Sequence, residues 1–163
     1  TTLFRSIEWA RLIVQWALSS FANRDGARPY IDAAEHLFAR AVDDAWNVDG
    51  AQGLVYTTDW NGMPVVTDRM HWTAAESLNT AATLHAATGE ARYADWYATF
   101  ARYVDEHVID HEGGSWFHQL DGGNHVIGTV WPGKSDLYHA FQSTLIPFLD
   151  PAVSIATAVK NAA

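Results

Sequence analysis

The feature that most constrains the fold is an alternation between two kinds of helical segment. Hydrophobic periodicity predicts six helices. The first, third and fifth are apolar nearly all round except for one narrow polar stripe, whereas the second and fourth carry one charged face. Helices that are apolar on all sides are buried, and helices with one polar, solvent-exposed face lie outside them. The predicted helices, inner and outer in turn, cover about residues 6–21, 30–46, 72–87, 91–109, 135–147 and from 150 onward.

Local signals place several of these predicted boundaries. The second helix is expected to follow Arg28-Pro29, and the third to stop at Thr88-Gly89. Ser135 is a candidate N-cap for the fifth helix, which should end at Pro147. Asp150-Pro151 combines a cap residue with proline at the first helical position, and this predicts the start of the sixth helix.

The connections alternate as well. Links from odd to even helices are short, while links from even to odd helices are long and have the pattern of β-hairpins. Residues 54–57 and 64–67 flank Trp60-Asn61-Gly62, in which Asn-Gly is a strong turn signal, and residues 115–120 and 125–127 flank residues 121–124. The sequence therefore predicts an all-α fold, an (α/α)₆ toroid, with the β-hairpin loops over one rim.

Only three helical hairpins are present, which is half of a six-hairpin barrel. Residues 1–163 are therefore expected to form a single domain that is part of such a barrel. Half a barrel leaves the apolar faces of its inner helices uncovered, at a cost of about 25 cal/mol per Å². A missing half or self-association is thus an expected partner.

Composition excludes several classes of function. Ten Lys and Arg against 19 Asp and Glu give a net charge of −9, which argues against binding to nucleic acid or to an anionic membrane. The chain has no Cys, which excludes thiolate catalysis and metal centres with Cys ligands. The first residues lack the pattern of a signal peptide and no apolar run approaches a membrane span, so a cytoplasmic location is expected.

Candidate reactive residues gather where the inner helices begin. Parallel inner helices bring their N-termini to one rim, where partial positive charge favours a developing anion. The residues at these three helix starts are Arg5 and Glu8; His71, Trp72 and Glu76; and Lys134, Asp136 and His139.

Four motifs resemble one known family. Ser6-Ile7-Glu8-Trp9-Ala10-Arg11-Leu12 is similar to the G-H-S-[FI]-E-W-A-R-L segment of the N-acylglucosamine 2-epimerase superfamily. Within that superfamily the similarity is greatest to the bacterial mannose isomerases and related aldose–ketose isomerases. Residues 59–76, 114–116 and 131–142 carry the other motifs in the same order. The resemblance covers about residues 6–149 and corresponds to the C-terminal portion of the longer family chain.

The resemblance implies a sugar isomerase that interconverts an aldose and a ketose of the mannose and fructose type, acts on a monosaccharide and needs no metal and no cofactor. The family moves a proton through a cis-enediolate with two histidines, one of which matches His139. The other position holds Arg5, and an arginine stays protonated and cannot accept a proton, although it can bind an enediolate. The resemblance assigns Glu8 to orienting a catalytic histidine. It assigns substrate binding to Trp72, as a sugar platform, and to Glu76, Lys134 and Arg69, and it leaves Trp116 and Trp131 open.

Each residue also has a structural alternative. His139 could be a hydrogen-bonded core histidine, Glu76 could pair with Arg69, Glu8 could bond Arg11 on its own helix, and Lys134 could be a solvated loop cation. His107 and His111 are four residues apart but lack the Glu of H-E-x-x-H, so no metal site is predicted.

Three other functions remain open from the sequence. A sugar 2-epimerase would return the proton to C2 on the opposite face. An inverting glycosidase would need two carboxylates about 6.5–9.5 Å apart, for which Glu8 and Glu76 are the candidates. A partial chain could bind sugar without catalysis.

Overall fold

Six α-helices and five short strands make up the described part of the chain. The computed structural model describes residues 4–162, with the backbone alone at Phe4. In chain order the elements are α1 (Phe4–Ser20), α2 (Arg24–Ala45), β1 (Thr57–Thr58), β2 (Pro64–Val66), β3 (Arg69–Met70), α3 (His71–Thr88), α4 (Ala91–Tyr103), β4 (Gln119–Leu120), β5 (Val126–Ile127), α5 (Leu137–Leu145) and α6 (Ile155–Ala162). No helix within residues 4–162 has both the length and the apolar character needed to cross a bilayer.

Helix α3 lies at the centre of the inner layer. It packs against α1 on one side, α5 on the other and α4 behind it, and most of its residues are buried. Many of those residues are Ala, Ser or Thr, so the neighbouring backbones can approach closely; the Thr80 hydroxyl donates to the carbonyl of Ile7 at 2.7 Å. This arrangement confirms the predicted all-α class, with α1, α3 and α5 as inner helices.

The outer helices α2 and α4 meet through an aromatic cluster. Phe38 lies on α2, and Trp46 follows its last residue. Both rings contact Trp96 and Phe100 of α4, and the ring centroids of Trp46 and Phe100 are 5.1 Å apart. Edge-to-face pairs of this kind add to the free energy of simple burial. These four aromatic side chains therefore serve packing between the outer helices.

The two long links form one layer over the N-terminal end of α3. Strands β1 and β2 pair as the predicted antiparallel hairpin, and β4 and β5 pair as the second. The strands are shorter than predicted. In addition, β3 pairs with β4 in antiparallel register, so that a three-stranded sheet joins the two links. Nothing in the sequence pattern predicts the pairing of β3 with β4.

Helix α2 begins six residues earlier than predicted. The side chain of Asn23 caps it by accepting the backbone N–H of Gly26 at 3.0 Å. Pro29 lies inside the helix instead of before it. Both Pro29 and Asp25 are exposed, so the carbonyl of Asp25, which loses its helical donor to the proline ring, faces water.

The fourth predicted helix ends where expected: α4 continues as a π-helical turn over Val104–Val108 and gives way to extended backbone at Ile109. Two further predicted boundaries were wrong. The N-cap of α5 is Asp136 and not Ser135, because the Asp136 carboxylate accepts the N–H of Tyr138. Helix α6 begins at Ile155 and not at Asp150, whose carboxylate instead closes a turn at Ala152.

The loop that follows α2 is held by a buried arginine on β3. Arg69 is 2% exposed, and both of its terminal nitrogens lie 2.7 Å from the carboxylate of Asp49. Its guanidinium also donates to the carbonyls of Ala51 and Gln52. Arg69 therefore connects the end of the first long link to its beginning.

Both edges of the helical layer expose large apolar side chains. Trp9 and Trp16 on α1 are 56% and 50% exposed, and Phe141 on α5 is 60% exposed. Leu137 and Phe148 at the ends of the α5 segment are more exposed still. Apolar patches of this kind on a helical layer are typical of surfaces that another part of a protein covers.

We expect the 163-residue chain on its own not to remain a monomer, because both apolar edges would be left in water. Light scattering should give a mass above the 18.0 kDa of one chain, or polydisperse particles. A monodisperse 18.0 kDa particle that unfolds cooperatively would contradict this prediction.

We expect Arg69→Met to lower the free energy of unfolding by about 1–3 kcal/mol, because it removes the buried donor to the Asp49 carboxylate and to two loop carbonyls. The matched control is Arg92→Met, which removes an arginine that is 57% exposed and should cost less than about 1 kcal/mol. Urea unfolding at one protein concentration measures both changes. Equal losses would show that the Arg69 cluster does not stabilise the fold.

Candidate active site

An open cavity of about 330 Å³ lies at the rim where the inner helices begin. Helices α1, α3 and α5 supply its floor, and the link between α4 and α5 supplies a wall. The side chains that line it are Arg5, Glu8, His71, Trp72, His118, Trp131, Asp136 and His139.

Pairing between β3 and β4 determines one wall of this cavity. Strand β3 continues directly into α3, so the antiparallel register extends from the Met70–Gln119 pair to His71 and His118. The backbone N–H of His71 donates to the carbonyl of His118 at 3.2 Å, and the two rings meet edge to face at 4.6 Å. The His118 ring stacks on Trp131 at 5.2 Å, with an interplanar angle of 10°.

A buried glutamine holds the wall that carries Trp131. Gln119 has no exposed surface, and its carbonyl oxygen accepts the backbone N–H of Val130 at 3.0 Å. Its amide nitrogen donates to Asp68 at 2.6 Å and to Thr129 at 3.0 Å. The segment from Thr129 to Trp131 is thereby tied to strand β4.

Beneath the cavity, a buried carboxylate connects three helices. Glu76 on α3 is 0% exposed; its Oε2 accepts from Arg11 Nε on α1 at 2.8 Å. Its Oε1 lies 3.3 Å from Nδ1 of His139 on α5. Burial would raise the pKa of Glu76, but the hydrogen bonds and charges of His139 and Arg11 outweigh it and hold the pKa below its ordinary value. Glu76 is therefore a carboxylate at neutral pH.

His71 differs from His139 in its electrostatic environment. Its pKa is lowered to about 4, mainly because burial disfavours the charged ring, and the neighbouring His118 and His139 add to this effect. His71 is thus neutral near pH 7. Its Nε2 lies 3.4 Å from Oδ2 of Asp136, while Oδ1 of Asp136 is occupied as the N-cap of α5.

Three of these side chains could hold a metal ion. One ring nitrogen of His71, one of His118 and a carboxylate oxygen of Asp136 all lie within 4.8 Å of one another. No motif spacing in the sequence links these three residues.

The structure places four of the predicted site residues at the cavity: Arg5, Glu8, Trp72 and His139. The Trp72 ring lies 5.8 Å from that of His139. Glu76 lies below the cavity, and its ion-pair partner is Arg11 and not Arg69. Arg11 therefore binds a residue of α3 and not Glu8 on its own helix. Trp131, which the sequence analysis left open, is also at the cavity, whereas Trp116 packs against the core.

Two predicted substrate-binding residues are not among the side chains that line the cavity. The guanidinium of Arg69 is occupied by Asp49 and the adjacent loop carbonyls. Lys134 forms an ion pair with Asp110 and lies 4.4 Å above the ring of Phe117. Both residues hold loops in the structure.

Three residues of the site were missed by sequence reasoning. His118 and Gln119 reach it only through the pairing of β3 with β4, and a two-residue strand carries no periodic signal. Arg11 did give a signal, since it belongs to the polar stripe of an otherwise apolar helix.

Comparison with known proteins agrees with this geometry. The sequence profile of the N-acylglucosamine 2-epimerase (GlcNAc 2-epimerase) family matches residues 5–143. A D-mannose isomerase of Pseudomonas cannabina pv. alisalensis is 46% identical over 162 residues, which are 99% of this chain and 39% of that protein. A D-mannose isomerase of Thermobifida fusca is 42% identical over 161 residues, covering 98% of this chain and 39% of that protein.

A crystal structure of a D-mannose isomerase superposes with a TM-score of 0.79 at 27% identity, over 90% of this chain and 36% of that one. The chain thus spans about 39% of the length of these two sequence relatives. The comparisons confirm the resemblance drawn from the four motifs and the expectation that the fold is part of a toroid. The chain belongs to the N-acylglucosamine 2-epimerase family.

Proposed function

We propose that this chain carries part of the active site of a sugar isomerase that interconverts an aldose and a ketose of the mannose and fructose type. A proton leaves C2 and is delivered to C1 through a cis-enediolate. The observation that carries this proposal is the position of His139, which lines the cavity and is held from below by the fully buried Glu76.

His139 has the properties of a general acid–base group. Histidine is the side chain that most often serves as general acid and base in enzymes. In the proposed arrangement Nδ1–H of His139 donates to Glu76, which leaves Nε2 free to exchange a proton with the substrate. The carboxylate stabilises the imidazolium form, and Arg11 keeps the carboxylate in place and charged. Glu76 therefore acts as a positioning residue, in place of the sugar-binding role expected from the sequence.

The remaining cavity residues fit binding roles. Arg5 supplies a permanent positive charge, which would stabilise the enediolate oxygens. Trp72 offers an aromatic face beside His139 for the sugar ring. The carboxylate of Glu8 can accept a hydrogen bond from a sugar hydroxyl group, or it can orient the side chain at position 5. Arg69 and Lys134 have no step in this scheme, since both are bound to loop partners.

The rest of the barrel is part of the proposal. The matched relatives are more than twice as long as this chain, and both edges of its helical layer are apolar and exposed. We propose that a further portion of the toroid, or another copy of the chain, covers these edges and completes the sugar site.

The 2-epimerase and the inverting glycosidase, two functions that the sequence left open, differ in how well they fit this cavity. A 2-epimerase uses the same enediolate and the same His139, and it differs only in the carbon and face to which the proton returns. For an inverting glycosidase, the two carboxylates expected from the sequence were Glu8 and Glu76. Glu76 has no exposed surface and both of its oxygens are occupied, which disfavours that reading.

We expect His139→Gln to lower isomerisation by about 100-fold or more, the usual effect of removing a general acid–base group. The test uses a chimera in which this chain replaces the matched segment of the Thermobifida fusca D-mannose isomerase. Turnover of mannose and fructose is measured together with deuterium uptake from solvent at C2, because exchange reports the enediolate itself.

The matched control is His85→Gln, which changes an exposed histidine on α3 that does not line the cavity. It should leave both rates unchanged. Unchanged turnover in His139→Gln would remove His139 from the mechanism.

We expect Arg5→His in the same chimera to raise turnover, because it places a group that can accept a proton where the family has its second histidine. Arg5 supplies charge and donors but no acceptor. The Arg5→Lys variant is the control, since it keeps the charge and also lacks an acceptor. If the arginine and histidine forms isomerise and exchange at equal rates, the assignment of two histidines fails for this chain.

A further inference from the structure

His71, His118 and Asp136 form a cluster in the same cavity as His139, but none of the three has a role in the proposed proton transfer. His71 lies at the start of α3, His118 precedes β4, and Asp136 caps α5. We propose that this cluster is a binding site for one divalent transition-metal ion of the zinc type. Nothing in the sequence spacing predicts it, since the three residues meet only through the fold.

The donor set is that of a zinc site. Two imidazole nitrogens and one carboxylate oxygen are the ligands that Zn²⁺ takes in open, three-ligand sites. With metal–ligand bonds of about 2.0–2.2 Å, ligand atoms at the corners of a tetrahedron lie about 3.3–3.5 Å apart. The separation of 3.4 Å between His71 Nε2 and Asp136 Oδ2 already has that value. All three donors lie within 4.8 Å of one another, so His118 needs to move by an ångström or so.

A second observation also indicates a ligand. His71 is 2% exposed, yet neither of its ring nitrogens has a hydrogen-bond partner among the described residues. A buried polar group without a partner costs stability. A metal ion at Nε2 would satisfy one of these nitrogens.

The other two ligands are already oriented for this role. Asp136 uses Oδ1 to accept the N–H of Tyr138, which leaves Oδ2 directed at His71 as a single donor. The His118 ring is held parallel to Trp131. Since two of the three donors are nitrogen, the site should favour zinc over magnesium or calcium, which bind oxygen ligands.

The ion would also affect the reaction. All three ligands line the cavity, so the open fourth position faces the space where the sugar would bind. On the basis of the proposed function, bound zinc therefore competes with sugar and inhibits isomerisation reversibly.

Binding is tested first on the whole 163-residue chain, without a histidine tag and stripped with EDTA, in the oligomeric state in which it is purified. Isothermal titration with ZnCl₂ should give one ion per chain, and MgCl₂ should give no comparable binding. Removing a residue that only hydrogen-bonds to a metal ligand lowers metal affinity by about 10–100-fold. His118 would be a direct ligand, so His118→Ala should weaken zinc binding by at least about tenfold.

The matched control is His125→Ala, which removes the histidine of an exposed His–Asp pair whose Nδ1 and Oδ2 atoms lie 3.2 Å apart. It should leave the affinity unchanged. Asp136→Asn gives a second test with little change in shape, and circular dichroism verifies that each variant is folded. Binding that is absent, or that is equally strong in the His118→Ala and His125→Ala variants, would overturn the proposal.

Inhibition is measured separately in the chimera. Zinc should raise the apparent KM for mannose, and EDTA should restore it. A chimera without isomerase activity would contradict the proposed function and leave the titration result standing. An active chimera whose segment binds no zinc would contradict only the metal site.

Discussion

The ion pair between Arg11 and Glu76 is the interaction on which the inner layer depends. Glu76 is completely buried in the middle of a helix, where an unpaired carboxylate would be very costly. Arg11 on α1 and His139 on α5 both contact Glu76. This one carboxylate therefore fixes the positions of three helices relative to one another. Because the same contact orients the histidine that faces the cavity, the packing of the layer and the geometry of the site have a common origin.

The second constraint is the direct passage from β3 into α3. With no loop between strand and helix, the first turn of α3 cannot move independently of the sheet formed by β3, β4 and β5. His71 and Trp72 on the helix therefore keep a constant relation to His118 on the neighbouring link. The link between α4 and α5, which looks like a surface loop, is in this way part of the cavity wall.

The parts of this site that the sequence predicts are those set by local structure. Helical periodicity and the rule that inner helices begin at one rim were enough to bring Arg5, Glu8, Trp72 and His139 together. His118 and the partner of Arg11 depend on contacts between distant segments, which leave no pattern in either segment. The start of α2 was missed for a different reason: Pro29 was read as a boundary, although an exposed proline in the second turn is tolerated once Asn23 caps the helix.

The hydrogen bonds of Gln119 have a consequence for how this cavity can change over evolution. One amide group holds Asp68, Thr129 and the backbone of Val130, and through that segment the aromatic wall at Trp131. Substitutions at any of these positions act on the same few bonds, so their effects will not add. A change of substrate range at this wall therefore requires several coordinated replacements.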